Sequence, residues 1–112
     1  MKRDSSFKDY ILYDILGHIE GISVRGMFSG WGIYLDKIIV GFVADGELFL
    51  KADPAIMQKY KKLGCYPFSY DRDGKLVEMG YMSVSVETLE DQKAITERVE
   101  ESFEISRRGK KK

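Results

Sequence analysis

An α+β fold, with helices packed on one face of a mostly antiparallel sheet, is what this sequence predicts, and three observations carry it. Asp45-Gly46 and Asp73-Gly74 each sit between strand-like runs and read as two-residue hairpin turns, which join antiparallel strands. Lys37 to Ala44 is β-branched and apolar on both alternating faces, as a central strand would be. Helical spacing appears at both ends of the chain and once between the hairpins. The implied order is α-β-β-β-β-α-β-β-α in two layers, because helices with one apolar stripe must bury it on the sheet.

The first helix follows Ser5-Ser6, with Phe7, Tyr10, Ile11 and Ile15 at helical spacing and Gly17 as a stop. Ser23 to Phe28 and Trp31 to Leu35 read as strands reversed at Ser29-Gly30. Lys37 to Ala44 and Glu47 to Lys51 pair across Asp45-Gly46. Asp53-Pro54 is a capping side chain followed by proline at the first helical position, so a short helix runs to Gly64. The second hairpin starts at Pro67 and returns as Lys75 to Val84. Val86 to Phe103 reads as a helix with an irregular first turn, its narrow stripe being Leu89, Ile95, Val99 and Phe103.

If Ile38, Val40 and Phe42 face the helices, then Ile39, Gly41 and Val43 face away. Register would add Tyr34, Phe49, Tyr70 and Tyr81 to that second face. A two-layer domain leaves it uncovered, and an aromatic patch of this kind reads as an interface with a second copy or with another protein.

At 112 residues, 44% apolar and 32% charged, the chain is one ordinary globular domain spanning residues 1–106. No apolar run approaches the roughly 20 residues that cross a bilayer, and the N-terminus lacks a signal-type stretch. A single cysteine, Cys65, agrees with a reducing compartment. Cytoplasmic location follows as the expectation. The zero net charge is unevenly spread, since residues 107–112 hold five of the 18 basic side chains and no acid. That segment is expected to be a disordered basic tail. Arg107, Arg108, Lys110, Lys111 and Lys112 are its nucleic-acid contact candidates, with a salt-sensitive, sequence-independent mode of binding. The acidic helix before it would repel the same phosphates.

No residue set reads as catalytic. His18 and Cys65 have no ligand-type spacing, so neither a metal nor a cofactor is expected. The glycines of residues 26–32 precede a strand rather than a helix, which fits tight strand reversal better than a phosphate cradle. Arg25 lies in an otherwise apolar strand. It could clamp an anionic group on a partner, or pair with an acid such as Glu20, Glu47 or Glu78. Arg25, Phe28, Trp31, Tyr34, Phe49, Tyr70 and Tyr81 are the candidate partner-binding residues.

The run Arg25-Gly26-Met27-Phe28-Ser29-Gly30-Trp31-Gly32-Ile33-Tyr34 resembles the TfoX N-terminal domain (Sxy-like) family. That family's pattern is arginine-x-methionine-phenylalanine-glycine-glycine-x-glycine-aliphatic-tyrosine. Asp45-Gly46-Glu47-Leu48-Phe49-Leu50-Lys51, Gly64-Cys65-Tyr66-Pro67-Phe68-Ser69-Tyr70 and Tyr81 are similar to further family segments in the same order. The likeness covers about Val24 to Phe103. It implies an α+β fold and a role tied to transcriptional regulation of competence, the uptake of DNA, or an unassigned role where the domain stands alone. Ser29 departs from the glycine pair, the Asp36-Lys37 turn lacks glycine, and the longer family regulators continue into a C-terminal helical domain. The expectation is a non-enzymatic regulatory, protein-interaction module, with direct nucleic-acid binding through the tail as the alternative.

Overall fold

The structure, a computed structural model, describes residues 6–27 and 30–110, with the backbone alone at Lys110. Among them, six strands form one antiparallel sheet. These are β1 (Ile22–Met27), β2 (Gly30–Leu35), β3 (Ile38–Ala44), β4 (Glu47–Lys51), β5 (Pro67–Arg72) and β6 (Lys75–Ser83), ordered β1-β2-β3-β4-β6-β5. The helices are α1 (Ser6–Asp9), running on into a π-helical segment (Tyr10–Ile15), then α2 (Pro54–Lys61), α3 (Val86–Leu89) and α4 (Gln92–Lys110). The fold class is α+β, as the sequence predicts.

Local chemistry accounts for most of these boundaries. At both Asp-Gly turns the aspartate and glycine sit in the left-handed region, with φ of 53° and 72° at Asp45-Gly46 and 53° and 82° at Asp73-Gly74. That backbone twist matches antiparallel strands. Asp36 and Lys37 adopt the same region at φ 50° and 70° without any glycine, a conformation that costs about 1–2 kcal/mol for each such residue. Asp53 caps α2 by accepting the Ile56 N–H at 2.9 Å, with Pro54 at the first helical position. The first helix widens because the Leu16 N–H bonds the Ile11 carbonyl five residues back at 2.8 Å. The wider turn lets Ile11 and Leu16 both bury completely.

One core lies between sheet and helices. Ile33, Leu35, Val40, Val43, Leu48 and Leu50 of the sheet meet Ile11, Ile15 and Leu16 from the first helix and Ile95 and Val99 from α4. Ser102 of α4 donates to the Lys51 carbonyl at 2.7 Å, satisfying the end of β4.

Strand β3 corrects the alternation read from sequence. Ile33 pairs with Gly41 but Tyr34 pairs with Ile39, so Val40 is an extra residue in a β-bulge. Before the bulge Val40 faces the helices as expected. After it the parity flips, so Phe42 points away and Val43 joins the helix-side core. Gly41 permits the flip, since a Cβ there would land on the Phe49 carbonyl oxygen.

The C-terminal helix also differs from its prediction. Two caps, Ser85 on the Thr88 N–H at 3.2 Å and Asp91 on the Lys93 and Ala94 N–H groups at 3.1 Å, break it into α3 and α4. Helix α4 then continues past Phe103 to Lys110, so Arg107, Arg108 and the Lys110 backbone are helical rather than a disordered tail. Ser106 is buried in these last turns, and an exposed Arg107–Glu104 pair at 2.6 Å spans them. Lys111 and Lys112 lie outside the described residues.

Candidate functional site

Alternation along the strands sends a second set of apolar side chains to the face the helices leave open. Phe42, Phe49 and Tyr81 form a second small core there, with Met27, Ala44 and Phe68 packed against it. Phe42 centres the cluster. Its ring lies 5.5 Å from Phe49, 4.9 Å from Tyr81 and 5.0 Å edge-on from Phe68. Such ring pairs add roughly 0.5–1.5 kcal/mol each beyond the area they bury.

Met27 belongs to β1 and Phe68 to β5, the two edges of the sheet. Both pack against this one cluster and border the same pocket, so the sheet curls and its second face is concave. What remains open is a pocket of about 210 Å³ bordered by residues from β1, β2, β3, β5 and β6, among them Met27, Ile39, Phe42, Phe68, Met79 and Tyr81. Tyr81 is its titratable side chain. Burial, and then the nearby Tyr34, push the Tyr81 hydroxyl above its ordinary value, so it stays protonated at neutral pH.

A polar depression adjoins the pocket, lined by Ser23, Val24, Arg25, Tyr34 and Lys37. The Arg25 guanidinium lies 5.7 Å from the centre of the Tyr34 ring. Across the same face, Lys51 Nζ lies 5.0 Å from the Tyr81 ring. Both are cation–π distances.

The residues singled out from sequence therefore separate. Tyr34 is half-buried on the concave face, and Tyr70 is exposed beyond it on β5. Phe49 and Tyr81 share that face but are only 4% and 9% exposed, so they form its floor and not a contact surface. Trp31 packs partly buried against the helix-side core, with Lys8 Nζ 4.7 Å over its ring, and also borders the pocket. Phe28 lies outside the described residues. Arg25 is exposed, and among the described residues no acid pairs with it. Glu78 is instead within 3.6 Å of Lys61, and Glu47 accepts the Tyr66 hydroxyl. Of the basic C-terminal residues, Arg107 pairs with Glu104, while Arg108 lies 3.9 Å from Asp53. A phosphate there would compete with carboxylates.

The buried arginine is Arg98, which the sequence reading passed over. It is 4% exposed, and among the described residues its Nε and Nη2 have no hydrogen-bond partner. Its guanidinium stacks 3.9 Å from the Tyr60 ring centre. Desolvation draws its pKa below the usual arginine value, against a smaller opposing effect of Tyr60. Burial also pushes the Tyr60 hydroxyl up to about 12, and that hydroxyl donates to Glu101 at 3.2 Å. Met27, Phe42, Phe68 and Met79 were missed as well, whereas Ile39 lies on the open face as alternation implied. Met79 is two residues before Tyr81, so alternation alone could have found it, whereas the bulge hid Phe42.

Comparison with known proteins supplies a family. The family model described as the TfoX N-terminal domain matches residues 14–106. The "DNA transformation protein TfoX1" of Aliivibrio fischeri is 24% identical over 83 residues, covering 74% of this chain and 40% of that protein. The chain thus spans about two fifths of that relative's length.

Proposed function

This chain belongs to the TfoX N-terminal domain family, and from that footing we propose that it is a non-enzymatic protein-interaction module in the regulation of DNA uptake. It acts in the cytoplasm on transcription, through a protein that docks on the concave sheet face. The relative named a DNA transformation protein supports the setting.

The observation that carries the docking reading is the apolar pocket. Pockets for drug-sized ligands run to roughly 300–1,000 Å³, and at about 210 Å³ this one is scaled to one large side chain. A rigid aromatic floor and a single-side-chain opening are what an interface anchor needs. The lining argues against chemistry at this spot, because its one titratable group, Tyr81, holds its proton well past neutrality.

Met79 is 36% exposed at the pocket mouth, so a carboxylate there blocks docking without opening the core. Met79→Asp is expected to abolish transformation in a strain carrying it at the native locus and to leave the urea midpoint of the purified protein within error. Wild-type transformation by this variant would sink the docking reading. A concentration-dependent dimer that Met79→Asp dissociates would make the partner a second copy.

A further inference from the structure

Resting on that docking reading, we infer that the segment received by the concave face is an acidic peptide stretch carrying one large apolar anchor. Arg25, Lys37 and Lys51 ring the face, and among the described residues none has a carboxylate at ion-pair distance. The acid on the neighbouring strand edge, Glu47, is engaged by the Tyr66 hydroxyl. The chain as a whole has zero net charge, and acids occur in the strands and turns as well as in the helices. The positive charge is therefore local to the pocket surround, where Arg25, Lys37 and Lys51 lie, and complementarity selects a partner segment of opposite sign.

The cations and the pocket form one surface. A Cβ built on Gly32 would sit 3.0 Å from Tyr34 Cε1 and 3.2 Å from Met27 Cε. Tyr34 borders the polar depression and Met27 the apolar pocket, so the two are contiguous. Glycine at position 32 keeps the passage between them open. Lys37 supports the same conclusion from the backbone. It occupies a left-handed position that glycine would fill with less strain, and it lines the depression.

Nucleic acid fits these features less well than peptide. Single strands bind on aromatic faces laid open for stacking, whereas Phe42 and Phe49 here are buried and packed edge-on against Phe68. A pocket with apolar walls offers a base no hydrogen-bond code, but it accommodates an indole or isobutyl group.

The test is fluorescence anisotropy of the full chain with labelled probes. These are a short aspartate/glutamate peptide around one tryptophan, the same peptide with alanine for tryptophan, the same with lysines for the acids, and oligo-dT. The acidic tryptophan peptide is expected to bind, weakening with salt and losing at least ~10-fold on loss of its tryptophan. Arg25→Ala and Lys37→Gly should each weaken it roughly two- to fivefold, while the urea midpoint of Lys37→Gly stays level or rises. No binding of that peptide overturns the inference. Equal binding of the lysine peptide overturns it too but leaves the docking reading standing. Oligo-dT binding with the same dependence on Arg25 and Lys37 would make the face a nucleic-acid surface. Self-association broken by Arg25→Ala would make its occupant a second copy. Failure of the docking reading itself is read separately, from wild-type transformation by Met79→Asp.

Discussion

At the scale of single residues, the two arginines exchange the roles their sequence settings imply. Arg25 sits among apolar strand residues yet points to an edge where solvent reaches it. Arg98 sits in a charged run, Thr96-Glu97-Arg98, yet falls beside Ile95 and Val99 on the buried flank of α4. Its compensation is a ring face, with two of its donors left unsatisfied. Arg98→Met should therefore leave stability unchanged or raise it by up to about 4 kcal/mol. Tyr60→Ala should lower it by ~2 kcal/mol or more, because the guanidinium loses its one partner. Urea unfolding measures both, and a strongly destabilised Arg98→Met would mean that the charge has a role the packing does not show. Tyr60 also carries a pH signature. Burial favours its neutral form, so its pKa rises from 10.0 to about 12 on folding. Stability from this group is complete below pH 10 and is lost as pH climbs toward 12, where unfolding releases a proton. Tyr60→Phe should flatten that part of the stability-against-pH curve. An unchanged slope would refute the assignment. None of this was legible in the sequence, because an arginine's partner is set by which flank of a helix a distant tyrosine meets.

At the scale of elements, capping and turn chemistry spoke plainly and the bulge did not. The Asp-Gly hairpins, the Asp53-Pro54 start and the four residues of Glu47-Leu48-Phe49-Leu50 that alternate across β4 all follow from local rules. Val40-Gly41 breaks the alternation instead, and nothing in Ile38-Ile39-Val40-Gly41-Phe42-Val43 marks which residue is extra. Gly41→Ala tests the assignment. A methyl group driven onto the Phe49 carbonyl and Leu50 side chain should cost about 1–3 kcal/mol of stability. A neutral effect in urea unfolding would show that the close approach is absent. In the helical layer, Asp91 restarts the helix after α3 by accepting two N–H groups. Asp91→Ala should cost about 1 kcal/mol, read as a lowered thermal midpoint. A midpoint equal to wild type would contradict the cap. The end of α4 was less legible, since the basic residues at 107–110 carry no apolar signal.

At the scale of the whole molecule, curvature turns an open aromatic face into a walled pocket. Sequence placed Tyr34, Ile39, Phe49 and Tyr81 on this face, but put Val43 there instead of Phe42 and included Tyr70, which lies beyond it; the antiparallel order followed from the hairpins. It could not show that β1 and β5 would approach one another, because curl is a property of all six strands and of the β3 bulge together. That curl decides which residues a partner reaches. Phe49 and Tyr81 become floor, and Met27, Ile39 and Met79 become rim. The same curl sets Arg25, Lys37 and Lys51 beside the pocket, where none has an ion-pair partner among the described residues.

The most direct test follows the methyl signals of the five methionines by NMR while the tryptophan-bearing acidic peptide is titrated in. Met27 and Met79 line the pocket, Met82 is fully buried on the opposite side of its strand, and Met57 lies on α2. An anchor entering the concave face should shift Met27 and Met79 together, through the ring current of the bound indole, and leave Met57 and Met82 in place. Shifts centred on Met57, or saturation with Met27 and Met79 unmoved, would contradict the assignment of this face as the docking site.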